Sequence, residues 1–160
     1  MGADARLNRR AAVSRVLGIG AACLAPVGRA AEATLPLSES LLAELTQALR
    51  AGGPLIVMVS LEACAFCKVA REHHLAPLRS QQALGVVQLD MRSSRPVLDF
   101  KGSATTHGEL VARWQVKVAP TLLFFGRGGT EVAERLQGVS IPDYYGAILD
   151  DRLRSARLAL

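Results

Sequence analysis

The chain has 160 residues, half of them hydrophobic, and a formal net charge of +5. This length suits one domain with short extensions, and the apolar content is sufficient for a packed core. The excess positive charge lies mostly in residues 1–33, which carry five arginines and two acidic residues. The rest of the chain has no basic stripe with interleaved aromatic residues, so the composition gives no support to nucleic-acid binding.

The first 33 residues have the pattern of a bacterial-type export signal. Four arginines precede an uncharged, mostly apolar run over residues 16–27, and Ala31-Glu32-Ala33 fits a small-x-small cleavage site. The apolar run is too short to span a bilayer unaided. We therefore predict that residues 1–33 are a cleaved signal and that residues 34–160 form a single periplasmic domain. A short amphipathic N-terminal helix is the alternative.

One of the three cysteines, Cys23, lies inside the apolar run of the predicted signal. It has two interpretations, the lipid-bearing cysteine of a lipoprotein or a residue removed with the signal. Gly20 stands where lipoprotein signals prefer a leucine-like residue, so we favour removal. The mature protein then keeps two cysteines, in a compartment where disulfides form and persist.

Apolar periodicity and turn residues predict eight elements after the signal. They are, in chain order, a helix over 41–49 capped by Ser38 or Ser40, a strand over 55–59, a helix from 64 to about 74, a strand over 86–91, a helix over 108–114, strands over 121–125 and 131–136, and a helix over 144–159. The helix from 64 is expected to end near Pro77, and a proline-kinked continuation to Gln82 is the alternative. Thr105 or Thr106 is expected to cap the helix over 108–114, with Glu109 at capping-box spacing from Thr106. Residues 92–108 are predicted as a loop with a short strand over 97–100. The order predicts an α/β fold, with a mixed sheet sandwiched between helices.

The third predicted element begins at the most informative motif of the chain, C-A-F-C, which contains Cys64 and Cys67. A helix that starts at Cys64 directs unpaired N–H groups and a partial positive charge at its sulfur, and both favour the thiolate. Cys67 lies one turn on, close enough for a disulfide, and is expected to be more buried. This arrangement predicts a redox dithiol with Cys64 as nucleophile and Cys67 as resolving thiol.

Three further uses of the two cysteines are open at this point. The first is a zinc site, which needs about four ligands, and only His73, His74 and His107 are available to complete one. The first two histidines lie further along the cysteine helix, too far to converge with both sulfurs, and we predict solvated surface positions for all three. The second use is the handling of Cu(I) by both thiolates, and the third is a purely structural disulfide.

A second motif, Val118-Ala119-Pro120-Thr121, precedes the strand predicted at 121. Together with C-A-F-C at this spacing, it resembles the thioredoxin-like superfamily over roughly residues 37–155. The resemblance implies a cis peptide bond at Pro120, which packs against the dithiol and shapes the substrate groove. It also implies that the backbone of Ala119 is free to pair with an extended substrate chain. A trans proline that opens an edge strand is the alternative.

The chain departs from ordinary thioredoxin at several positions. Ala65-Phe66 replaces Gly-Pro between the cysteines, and Ala63 replaces the tryptophan that commonly precedes them. Met58 aligns with the family's buried acid, which assists the resolving thiol in reductases. Phe66 has two interpretations, a contact for peptide-like substrates or a packing residue.

The resemblance implies an exported thiol–disulfide oxidoreductase that exchanges disulfides with protein substrates. This chemistry requires no cofactor, and electrons are expected from a partner dithiol on a membrane protein. We favour reduction over oxidation, because oxidants of this fold usually carry a large helical insertion for which no interval here is long enough.

Overall fold

The structure is a computed structural model that describes residues 34–138 and 144–160. The predicted signal and Cys23 lie outside the described residues. The helices and strands are α1 Leu41–Arg50, β1 Leu55–Ser60, α2 Ala65–Val69, a π-helical turn Ala70–Leu75, α3 Ala76–Gln82, β2 Gly85–Asp90, β3 Pro96–Leu98, β4 Ala104–Thr106, α4 His107–Arg113, β5 Thr121–Phe125, β6 Leu136–Gln137 and α5 Tyr145–Leu158.

The main sheet has the strand order β2-β1-β5-β6. β1 pairs in parallel with β2, whereas β5 is antiparallel to both β1 and β6. A short extended segment continues the sheet beyond β2: the N–H of Ser38 donates to the carbonyl of Gln88, and the N–H of Gln88 donates to the carbonyl of Pro36, each at 2.9 Å. The predicted mixed α/β sheet between helices is confirmed.

The core has two layers because strand side chains alternate between the faces of the sheet. Ile56 and Met58 of β1 pack with α2, the π-helical turn and α5 on one face. Leu55 and Val57 pack with α1 and α4 on the other. The uninterrupted burial of β1 and β5 therefore follows from helices on both faces.

The helical segment that starts after Cys64 does not end near Pro77. It continues to Gln82, which is the alternative prediction. A proline inside an α-helix leaves the carbonyl four residues back without a donor. Here the wider π-helical turn precedes it, and the N–H of Ala76 donates to the carbonyl of Arg71, five residues back. The chain thereby accommodates the proline in the first turn of α3 and extends the helical segment to Gln82.

Two predictions of strands need correction. Residues 92–108 form a hairpin in which β3 pairs with β4, a polar strand that the periodicity did not indicate. The strand predicted over 131–136 is reduced to β6 and an isolated bridge between Glu131 and Phe125. Between them the pairing is interrupted, and the Arg135 side chain turns to the Glu131 carboxylate and the Trp114 carbonyl.

His107 is wrongly predicted as a solvated surface residue. Its side chain is completely buried at the start of α4. Nδ1 accepts from the backbone N–H of Asp90 at 3.1 Å, which leaves Nε2 to donate to the Ser38 carbonyl at 2.9 Å. The ring therefore joins the end of β2 to the segment before α1 through two hydrogen bonds, one buried and one partly buried.

We expect His107→Ala to lower the free energy of unfolding by about 2–4 kcal/mol, because it leaves a cavity and two buried backbone groups without partners. His73→Ala is the control, since His73 is exposed on the cysteine helix, and a change below about 0.5 kcal/mol is expected there. Urea denaturation of the oxidised protein measures both. Equal effects of the two substitutions would contradict the structural role of His107.

Candidate active site

Cys64 and Cys67 are joined by a disulfide, with their Cα atoms 5.2 Å apart. A sharp turn after β1 delivers the first cysteine to the helix, and Ala63 takes a left-handed φ of 56° in it. This conformation costs an alanine about 1 kcal/mol. Backbone strain of this kind is concentrated at functional sites, and here it sets the position at which the helix begins.

Cys64 is the N-cap of the helix, and its sulfur accepts a hydrogen bond from the backbone. The Cys67 N–H donates to Cys64 Sγ at 3.1 Å, and the Lys68 N–H donates to the Cys64 carbonyl at 3.1 Å. The helical segment that follows extends to Gln82, so its dipole adds partial positive charge at its start. The predicted placement of Cys64 at the helix N-terminus is confirmed.

The two sulfurs differ in accessibility. Cys67 is completely buried in the core layer that also contains Met58 and Ala70. Cys64 is partly exposed at the edge of the same layer. An incoming thiol or disulfide therefore has access to the Cys64 sulfur and not to the Cys67 sulfur.

The Ala119–Pro120 peptide bond is cis, as the resemblance implies. The carbonyl oxygen of Ala119 lies 4.0 Å from Cys64 Sγ. A disulfide sulfur has no proton to donate, so this is a contact rather than a hydrogen bond. Pro120 is buried, Ala119 is half-buried and Val118 is exposed, so this segment forms one side of the surface around the disulfide.

Phe66 lies between the two cysteines with 59% of its surface exposed. Of its two interpretations, packing into the core is therefore not what the side chain does in this structure. With Val118 it places apolar surface on the same part of the molecule as Cys64.

The position of the family's buried acid holds Met58, which is completely buried with Cys67 in one core layer. Glu62, the nearest carboxylate in the sequence, lies exposed in the loop before Cys64. Because Met58 occupies the position of the family's acid, no carboxylate at that position can accept the proton of Cys67.

Sequence reasoning missed a polar network beside Cys64. Arg71 Nε donates to Gln88 Oε1 at 2.9 Å, and Arg71 Nη2 donates to Ser60 Oγ at 3.2 Å. The Gln88 amide in turn donates to Asp90 Oδ1 at 2.8 Å. Two signals could have indicated it: polar residues in an otherwise apolar β2, and a cation seven residues after Cys64, on the same helix face.

The three histidines do not join the cysteines. The His74 ring lies tilted against the Tyr145 ring, with the centroids 4.9 Å apart, and burial there lowers the pKa of His74. His107 is engaged with backbone groups. Within residues 34–138 and 144–160, no three His, Cys, Asp or Glu side chains are placed to hold a metal ion. In the same part of the chain, no helix is both long and apolar enough to cross a bilayer.

Comparisons with known proteins agree with this geometry. A family model described as a thioredoxin-like domain matches residues 41–153. Similar solved structures include a thioredoxin-fold protein from Helicobacter pylori, with 14% identity, a TM-score of 0.52, and coverage of 67% of this chain and 73% of that one. The periplasmic thioredoxin SoxS from Paracoccus pantotrophus has 20% identity and a TM-score of 0.42, with coverage of 64% and 98% respectively.

No curated protein matches the chain. The identities to solved structures are low, and they bear on the fold alone. The family model covers most of the chain, including both cysteines and Pro120. The protein belongs to the thioredoxin-like domain family.

Proposed function

We propose that this protein is a periplasmic thiol–disulfide oxidoreductase that reduces disulfides in protein substrates. The observation that carries the proposal is the asymmetry of the disulfide. Cys64 is partly exposed and accepts an N–H at the start of a helix, whereas its partner Cys67 is completely buried. The periplasmic location is supported by the pattern of residues 1–33.

The reaction begins with the reduced protein. The Cys64 thiolate attacks one sulfur of a substrate disulfide, a mixed disulfide forms, and the other substrate sulfur leaves as a thiolate. Cys67 then loses its proton and attacks Cys64 Sγ, which re-forms the internal disulfide and releases the second substrate thiolate. Two electrons pass from the protein to the substrate, and a partner dithiol, which we assign to a membrane protein, restores them.

The structure favours the first step more than the second. The N–H of Cys67 already points at Cys64 Sγ at 3.1 Å, so a thiolate there needs no rearrangement of the backbone to be stabilised. Cys67 has Met58 rather than an acid in its core layer. Its proton must therefore leave by way of water or the substrate, and we infer that the mixed disulfide is resolved slowly enough to be captured.

The substrate groove is assigned to the surface formed by Phe66, Ala119 and Pro120. An extended chain that crosses the half-buried Ala119 passes the Cys64 sulfur, which lies 4.0 Å from the Ala119 carbonyl. Phe66 contributes apolar contact area next to the sulfur. This surface suits cysteine-containing segments of unfolded or flexible protein chains.

We expect Cys67→Ser to accumulate mixed disulfides with client proteins in cells, because its Cys64 can attack but is not released. Non-reducing electrophoresis and mass spectrometry of the adducts measure this. The matched control is Cys64→Ser, in which the remaining thiol of the motif, Cys67, is completely buried, and no adducts through Cys67 are expected. Adducts through Cys67 in that control, with none in Cys67→Ser, would reverse the two roles.

Truncation of Phe66 tests the groove. We expect Phe66→Ala to lower kcat/KM for reduction of a protein disulfide, such as that of insulin, by about tenfold. The reason is that the substitution removes the apolar area with which the half-exposed ring contacts the substrate. Reaction with a small uncharged disulfide is expected to stay unchanged. Leu158→Ala, which truncates a side chain that is 85% exposed on α5, is the control. An equal loss on both disulfides would contradict the assignment of Phe66 to substrate binding.

A further inference from the structure

We propose that the cavity beside Cys64 binds low-molecular-weight disulfides that carry carboxylates, such as glutathione disulfide, as a second class of substrate. The inference rests on the proposed function, since it uses the same dithiol. The cavity has a volume of about 1150 Å³. It is lined by the end of β1, the turn before Cys64, one face of the cysteine helix, the end of β2 and residues 91–94.

The cysteine helix presents its reactive sulfur and two cations to this cavity. Lys68 and Arg71 follow Cys64 by four and seven residues, and all three line the cavity. This spacing places them along one face of a helix, about 6 Å and 10 Å from Cys64 along its axis. When Cys64 attacks a disulfide whose carboxylate lies about 6–10 Å from the attacked sulfur, that carboxylate can reach these cations.

Arg71 is positioned as a ligand-binding group rather than as half of an ion pair. Two of its donors are held by Gln88 and Ser60, whose side chains are more than nine-tenths buried. Among the described residues, no carboxylate lies within ion-pair distance of it. A guanidinium has five N–H donors in a rigid fork, so others remain for a carboxylate, and fixed geometry favours bidentate binding.

The other charges of the cavity favour an amino-acid-like ligand over a simple anion. Lys68 is 63% exposed and makes only a long contact of 3.9 Å with Glu72. Arg92 adds a third cation from another wall, whereas Glu62 and Asp90 supply carboxylates. A mixed lining of this kind complements a molecule that carries both carboxylate and ammonium groups. The volume lies slightly above the usual range of about 300–1000 Å³ for small-molecule pockets, so a ligand as large as a peptide-like disulfide can be accommodated.

The wall opposite the helix is fixed by backbone hydrogen bonds. The Met91 N–H donates to the Ser60 carbonyl at 2.8 Å, and the Gly108 N–H donates to the Ser93 carbonyl at 2.9 Å. Gly108 permits this approach, because a Cβ there would lie 3.2 Å from the Ser93 oxygen. The first residues of the 92–108 segment thus form part of a preformed cavity.

The chemical step follows the same exchange as with proteins. The Cys64 thiolate attacks one sulfur of the small disulfide, forms a mixed disulfide and releases one thiolate. Cys67 then gives up its proton, attacks Cys64 Sγ and releases the second thiolate. The protein dithiol is oxidised by two electrons, and the small disulfide is reduced to two thiols.

The test compares two probes on the reduced protein, glutathione disulfide and its tetraethyl ester, in which all the carboxylates are masked. Rapid acid quenching, alkylation and mass spectrometry give the rate of oxidation by each. The quantity compared is the rate with glutathione disulfide divided by the rate with its ester. This ratio cancels any effect that a substitution has on the Cys64 thiolate itself. We expect this ratio to fall about tenfold in Arg71→Gln and roughly threefold in Lys68→Gln. It should also fall as salt is raised.

Arg79→Gln, an exposed substitution on α3 outside the cavity, should leave the ratio unchanged. A ratio that is the same in the wild type, Lys68→Gln and Arg71→Gln would overturn the proposal, and Lys68→Gln alone decides if Arg71→Gln does not fold. The proposal would also be overturned if Lys68→Gln and Arg71→Gln slowed oxidation of the protein by an acidic peptide disulfide but not by glutathione disulfide. In both cases retained insulin reduction leaves the proposed function standing, whereas loss of exchange with every disulfide overturns both.

Discussion

The hydrogen bond from the Cys67 N–H to Cys64 Sγ is the interaction on which the chemistry of this protein depends. It exists because the chain turns sharply at Ala63 and begins a helix directly after Cys64. The same turn leaves Cys64 partly exposed while Cys67 enters the core. One local backbone geometry thus separates an accessible sulfur, held where an anion is favoured, from a protected partner.

The two sides of Cys64 have different physical character. Phe66, Val118 and Ala119 surround one side with apolar surface and backbone, a surface suited to a protein segment. Lys68 and Arg71 lie on the other side, with the polar ends of β1 and β2. The second side exists because the face of β1 and β2 under the cysteine helix is apolar at Ile56 and Val86 but polar from Gln88 onward. A single reactive sulfur therefore faces two chemically distinct approaches.

Much of the fold could be predicted from the sequence, because most elements have strong local signals. α1 is bounded by Ser40 and by Gly52-Gly53-Pro54, and β1 and β5 are continuous apolar runs. The predicted capping box of α4 is present at Thr106 and Glu109. The errors occur where tertiary contacts override the pattern. β4 is polar and forms only because β3 pairs with it. Residues 133–135 leave the sheet although they lie within the strand predicted over 131–136.

The candidate site was predictable in part for the same reason. The two cysteines and Pro120 are marked by motifs, and the resemblance to the thioredoxin-like superfamily implies that they lie together. The burial of His107 depends on the approach of Ser38 and Asp90 from distant segments, which no local pattern encodes. The Arg71 network likewise joins β1, β2 and the cysteine helix. Polar residues within buried strands are the signal that would have directed attention to it.

The most direct measurement of the central claim is the pH dependence of alkylation at Cys64. In the Cys67→Ser protein, alkylation is followed at the peptide that contains Cys64 by mass spectrometry, and the same protein unfolded in urea is its reference. The proposed geometry predicts that Cys64 of the folded protein reacts as a thiolate at distinctly lower pH than in the unfolded chain. Identical pH profiles in the two states would show that the start of the helix does not stabilise the anion, and would contradict the mechanism.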